Sequence, residues 1–186
     1  EEVEMKIEPI EVFDKKGRKV ILRSACEDDA KDLIKYLRET AKETPYLLRE
    51  EDEINLTVED EKGLVDMFLE MDNALMLVAY IDGKHVGNCS FSPVGPFKRY
   101  AHRCDVAIAL YQEYWGSGIG SIMLETALKY AKEVGFEQAE LEVVSSNTKA
   151  IKLYEKYGFK KYGVKPDNMK YSNGEYASID WMMKKL

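Results

Sequence analysis

Three glycines at alternate positions, Gly116, Gly118 and Gly120 in "YWGSGIGS" (114–121), separate a β-rich run, "HRCDVAIAL" (102–110), from a stretch in which Ile119, Ile122, Met123, Ala127, Tyr130 and Ala131 keep helical spacing. Gly135 reads as a helix stop, and "QAELEVV" (138–144) follows as a buried-looking strand. Strand, side-chain-free turn, helix and strand make a crossover unit, which puts parallel strands in a sheet with a helix on its face. The turn carries chemistry of its own. Consecutive N–H groups without flanking side chains can converge on an anion, and the helix opening there adds unpaired N–H groups and the positive end of its dipole. A diphosphate is the natural ligand; the same glycines also suit a turn packed closely against a neighbouring strand.

The remaining chain supplies the partners for this unit. After an extended N-terminal segment, residues 1–17, "GRKVILRSA" (17–25) reads as a strand. Ala30, Leu33, Ile34, Leu37 and Ala41 then mark a helix, with Glu27, Asp28 and Asp29 expected in its first turn. Past the polar connector 44–56, Thr57 and Asp60 form a capping box for a second helix carrying Leu64, Met67, Phe68 and Met71. Two strands flank the turn dipeptide Asp82-Gly83, Asn147 opens a short helix that Gly158 ends, and two last strands flank Asn173-Gly174. With no repeat or linker, residues 1–186 form one α/β domain, a mixed sheet with helices on its faces.

Composition narrows the partners. A net charge of −7, with acidic runs at 49–53 and 58–61, repels a nucleic-acid backbone and favours a small cationic substrate. Three scattered cysteines and two histidines offer neither a disulfide framework nor a metal site. Without a leader-like start or a run of some 18 apolar residues, a cytoplasmic protein that does not enter membranes is expected. Two phosphate motifs fail on inspection. The dinucleotide fingerprint needs glycine or alanine where Ser121 or Met123 stands, and no Gly-Lys-Ser/Thr ending of a nucleotide P-loop follows any of these glycines.

"DVAIAL", "YWGSGIGS" and, one helix and one strand later, "SSNTKAIKLYEKYGF" together resemble the GCN5-related N-acetyltransferase (GNAT) superfamily in order and spacing, and the likeness runs over residues 18–186. The resemblance implies a sheet that is mostly antiparallel, with helices on both faces and a splayed central strand pair. It implies acetyl-CoA as co-substrate, with the pyrophosphate cradled by Trp115, Gly116, Ser117, Gly118, Ile119, Gly120 and Ser121; Gly118 and Gly120 match the motif's glycines, while Trp115 stands where it has Gln or Arg. Backbone at Ile108, Ala109 and Leu110 would bond the pantetheine arm as an added strand, and Asn147 would contact the same arm besides capping its helix.

The implied reaction is direct attack of an amine on the acetyl thioester. An aliphatic ammonium, pKa ~10, must first lose a proton to a base. Asp105, on the face of its strand shared with Arg103, Ala107 and Ala109, is the first choice, and Glu142, an acid within a buried-looking strand, the second; each also suits an ion pair. Tyr154 falls on the family's tyrosine, the acid that protonates the departing thiolate, though its spacing with Ala150 and Tyr157 also suits a core position. In relatives the acceptor site is bounded by the connector, here 42–53, and by a late hairpin, here 165–176, so Glu43 and Tyr46 are candidate substrate contacts. The expected activity is acetylation of a primary amine on a small molecule or a protein N-terminus, with no metal, and a homodimer is left open. The alternatives are a non-catalytic CoA-binding regulatory module and a dinucleotide-dependent enzyme, the latter disfavoured because Val144-Ser145-Ser146 offers no acid for a ribose.

Overall fold

The computed structural model describes residues 6–186. One eight-stranded sheet runs through them: β1 (Ile10–Phe13), β2 (Lys19–Ser24), β3 (Leu75–Ile81), β4 (Lys84–Pro93), β5 (Arg103–Leu110), β6 (Gln138–Val144), β7 (Lys160–Lys170) and β8 (Tyr176–Lys185), in the spatial order β1-β2-β3-β4-β5-β6-β8-β7. Every neighbouring pair is antiparallel except β5 and β6, which the crossover through the central helix makes parallel. The four α-helices are α1 (Ala30–Glu43), α2 (Val58–Glu70), α3 (Ile119–Glu133) and α4 (Thr148–Lys156). None of the described helices is long and apolar enough to cross a membrane.

Alternation along the strands sends side chains to two separate cores. Leu75, Leu77 and Ala79 of β3 join Cys104 and Val106 of β5, Leu141 and Val143 of β6, and Met123, Leu124 and Ala127 of α3 on one face. Met76 and Val78 meet Leu33 of α1 and Val65 of α2 on the other. Helices therefore cover both faces, as the resemblance implied, and β3 is buried almost throughout because each face has a cover. The capping box forms as expected: Thr57 Oγ1 accepts from the Asp60 amide at 3.1 Å, and the Asp60 carboxylate accepts from the Thr57 amide at 2.8 Å.

Three local expectations change. The segment expected as an extended lead-in contains β1, a short edge strand on β2, while residues 1–5 of it lie outside the described residues. Glu27–Asp29 form a separate 3-10 turn ahead of α1, because Asp29 turns back to the Arg23 guanidinium at 2.7 and 2.8 Å instead of facing a helix dipole. Asp82 and Gly83, both with positive φ (49° and 74°), make the tight turn their sequence predicts, whereas around Asn173-Gly174 only Gly174 is left-handed. There the turn widens to Tyr171–Glu175, closed by the Tyr171 amide on the Glu175 carbonyl at 2.8 Å.

Candidate functional site

β5 and β6 pair only at Arg103–Asp105 against Gln138–Glu140 and then part. Hydrogen bonding to β4 determines what the parted edge offers. Val94 N–H donates to the Arg103 carbonyl and Tyr111 N–H to the Val86 carbonyl, at 3.2 and 3.1 Å, so in an unbroken antiparallel register the odd-numbered residues of β5 bond to β4. Past the paired stretch, the even-numbered Ile108 and Leu110 turn their main-chain groups to the gap. Ala109, grouped with its neighbours in the sequence, bonds back toward β4, and its carbonyl also accepts the Tyr36 hydroxyl at 3.0 Å. The Leu110 carbonyl accepts Trp115 Nε1–H at 3.0 Å. Gly87 makes this geometry feasible, since a Cβ there would fall 2.2 Å from Leu110 Cδ2. The gap widens into a cleft of about 420 Å³ lined by Ile108, Ala109 and Leu110 on one wall and Glu142, Asn147 and Tyr154 on the other.

At one end the cleft meets the start of α3. Gly118, the N-cap residue, is left-handed (φ 85°), as is Gly116 (φ 72°), and as a glycine it offers no side chain to cap the helix. By contrast α2 is capped by Thr57, and Asn147 caps α4 by accepting from the Ala150 amide at 3.3 Å. Among the first-turn amides of α3, Ile119 N–H reaches the Ser117 Oγ at 3.5 Å, and the others lack a side-chain acceptor beside an open cleft, the arrangement that takes an anion. Space agrees with it: a Cβ at Gly120 would lie 3.4 Å from Leu110 Cδ1, so a side chain would crowd the floor. Gly116, Gly118, Gly120, Ser121 and Trp115 line the cleft. Ser117 and Ile119 do not; the Ser117 hydroxyl is turned to the Tyr114 carbonyl and the Ile119 side chain enters the core. The residues fit a diphosphate-bearing ligand whose amide-bearing arm lies along the free β5 edge.

The ionisable candidates separate here. Tyr154 is buried, its ring edge-on to Phe159 at 5.9 Å, and burial raises its phenol above the ordinary range; the hydroxyl has no hydrogen-bond partner among the described residues. Glu142 is the exposed position of an otherwise buried strand, and Trp181 Nε1–H donates to its Oε1 at 3.0 Å. Gly163 lets Trp181 lie close against β7, where a Cβ would approach its ring to 2.9 Å. Asp105 shares the sheet face of Glu142 but sits opposite Glu140, outside the cleft lining. Loss of hydration first, then the Glu140 charge, raises its carboxyl, with Arg103 opposing. Arg103 itself is committed to Glu140, its two nitrogens at 2.5 and 2.7 Å from the carboxylate.

Of the two acceptor candidates, Tyr46 lines the cleft. Glu43 instead anchors the loop ahead of the glycines, its carboxylate accepting from the Gln112 amide at 2.8 Å. The late hairpin does reach this end, where the Tyr171 hydroxyl donates to the Pro45 carbonyl at 2.7 Å. Sequence reasoning missed Lys15, Thr40, Thr44 and Lys149, all of which line the cleft. Lys149 was recoverable, one residue before Ala150 and two after Asn147; nothing local marks Lys15.

The model of the acetyltransferase (GNAT) family matches residues 35–159. A Saccharolobus solfataricus protein named N-alpha-acetyltransferase is 36% identical over 148 residues, covering 78% of this chain and 83% of its own. An acetyltransferase of the GNAT family from Streptococcus pneumoniae superposes with a TM-score of 0.86 at 28% identity, over 90% of this chain and 99% of that one. A phosphinothricin acetyltransferase from Sinorhizobium meliloti, solved in complex with AcCoA, shares the fold at a TM-score of 0.79 and 20% identity, over 90% and 88% of the two chains. A splayed β5–β6 pair, an uncapped glycine-led helix at its mouth and a family match over residues 35–159 converge, and the chain belongs to the GNAT acetyltransferase family.

Proposed function

We propose that this chain transfers an acetyl group from acetyl-CoA to a primary amine, with the α-amino group of a protein or peptide N-terminus as its acceptor. The single observation that carries the transfer is the splay itself, with a free strand edge, a helix start whose N-cap is a glycine, and the side chains of Glu142 and Tyr154 around one cleft. The choice of acceptor is supported by the name of the 36% identical relative. Acetyl-CoA supplies the electrophilic acetyl thioester and the thiolate that leaves from it.

The residues divide the remaining work. The α3 amides at Gly118–Gly120 hold the diphosphate, and the main-chain groups of Ile108 hold the arm as an added strand would. An α-ammonium of pKa ~8 must be deprotonated before it attacks. Glu142 accepts that proton, directly or through water, from the cleft wall where Trp181 orients it. Asp105, the other carboxylate candidate, lies outside the lining on the same sheet face. Tyr154 keeps its proton at neutral pH because burial disfavours the phenolate, and gives it up at the sulfur end.

The test is incubation of the purified protein with acetyl-CoA and matched peptides whose N-termini are free or blocked, following thiol release and the mass of each peptide. Acetylation of the free α-amine alone is expected. Thiol release with free lysine or polyamines but with no peptide would overturn the acceptor, and none with any amine would overturn catalysis.

A further inference from the structure

The anion end of the cleft has no cation of its own, since residues 114–121 contain no Lys or Arg. Two lysines arrive from elsewhere. In the turn between β1 and β2, Lys15 N–H donates to the Ser117 carbonyl at 2.8 Å, which docks the turn on the glycine loop. The side chain then runs over the loop: its Cγ, Cε and Cδ pass 3.1, 3.3 and 3.5 Å from where a Gly118 Cβ would stand. Lys15 lines the cleft, is exposed, and makes no ion pair among the described residues. Its base is rigid. The Asp14 carboxylate accepts from the Lys16 and Arg18 amides, each at 2.9 Å, and from Arg18 Nε at 2.7 Å, with the Asp14 side chain fully shielded. From α4, Lys149 places its Nζ 5.5 Å from the centre of the Trp115 ring, so a second ammonium stands at the same end.

We propose that Lys15 is a cofactor-binding residue, its ammonium closing over the diphosphate held at Gly118–Gly120, with Lys149 contributing the second positive charge. This rests on the CoA reading of the cleft above. Two phosphates cluster negative charge that one helix end, worth about half a unit charge, neutralises only in part. An ammonium whose stem already lies across Gly118 supplies the rest without reorganising the loop. The β1–β2 turn precedes residues 35–159, so this contact is carried by a part of the chain outside the family match.

Calorimetric titration of CoA and of dephospho-CoA, which keeps the diphosphate and lacks the 3′-phosphate, into wild type, Lys15→Met, Lys15→Arg and Lys16→Ala tests it. Methionine keeps the stem over Gly118 and removes the charge. Lys15→Met should weaken both ligands about tenfold and flatten the salt dependence of binding, while Lys15→Arg and Lys16→Ala bind as wild type. Wild-type affinity in Lys15→Met overturns the proposal, and so does a loss seen with CoA but not with dephospho-CoA, which would move the lysine to the 3′-phosphate. Failure of the wild type to bind CoA would overturn the cofactor reading itself, a result distinct from either.

Discussion

Burial acts on Tyr154 twice. It locks the ring against Phe159 and it raises the phenol, so that the side chain enters the cleft wall in a fixed position and protonated. Removing only the oxygen separates the two effects. Tyr154→Phe is expected to lower kcat about 10²-fold while changing the CoA Kd by less than about twofold; equal losses in both would make the tyrosine a structural residue. Glu142 is open to a different test because its partner, Trp181 Nε1–H, can donate equally to an amide oxygen. Glu142→Gln should cost about 10²-fold in kcat near neutrality and recover part of it as pH rises, since a growing fraction of the amine then arrives already deprotonated. A deficit constant across pH would assign Glu142 to orientation instead.

Among the elements, the seating of α1 on the sheet turns on one ion pair. Asp29, at the entrance to α1, binds the Arg23 fork of β2 and the Tyr80 hydroxyl of β3, the last at 2.7 Å. That junction orients α1, which carries the Tyr36 hydroxyl to the Ala109 carbonyl at the cleft edge. Burial alone would raise the Asp29 carboxyl, but Arg23, the Cys26 amide and Tyr80 outweigh it and hold the group at about 2. Its folded-state pKa lies below the unfolded value of ~3.9, so its stabilisation is fully present above pH ~4 and is lost as pH falls from there through about 2. Asp29→Asn should therefore cost about 2 to 3 kcal/mol in urea denaturation at pH 7, because Arg23 loses its counter-charge. The gap between variant and wild type should narrow toward pH 2, and a gap independent of pH would exclude the ion pair as its source.

At the level of the whole molecule the cleft divides the sheet into β1–β5 and β6–β8, which hold together by the short paired stretch at Arg103–Asp105 and by the helices packed across it. A ligand that spans the gap contacts both halves and binds only the folded chain. At ~100 times its dissociation constant it adds about 2.7 kcal/mol to stability. Acetyl-CoA and CoA are expected to raise the melting temperature of the protein, and NAD and ATP to leave it unchanged. No shift with saturating CoA would reduce Gly116–Gly120 to a packing turn.

Much of this was legible along the chain because the responsible physics is local. Apolar spacing marked α1, α2 and α3, Asn147 and Gly158 marked the ends of α4, Thr57 and Asp60 marked the start of α2, and alternation correctly placed Cys104 and Val106 on the core face of β5 with Asp105 and Ala107 on the other. The glycines were legible for the same reason: Gly116 and Gly118 hold a left-handed backbone that β-carbons disfavour. What spacing does not encode is where a strand's partner leaves it. Glu142 and Asp105 share a sheet face, and only the point at which β5 parts from β6 puts one in the cleft and the other outside it. Asn173-Gly174 promised a tight turn, but the register of β7 on β8 widened it. β1 has four residues, too few for a readable period, and Lys15 behind it lies about a hundred positions from the loop it covers. The sequence by itself determined the elements, their order and the glycine turn at the start of α3, since each follows from neighbours within a few residues. Tertiary structure alone decided which carboxylate lines the cleft and which lysine lies over the glycine loop, because pairing and docking join residues that no local pattern connects.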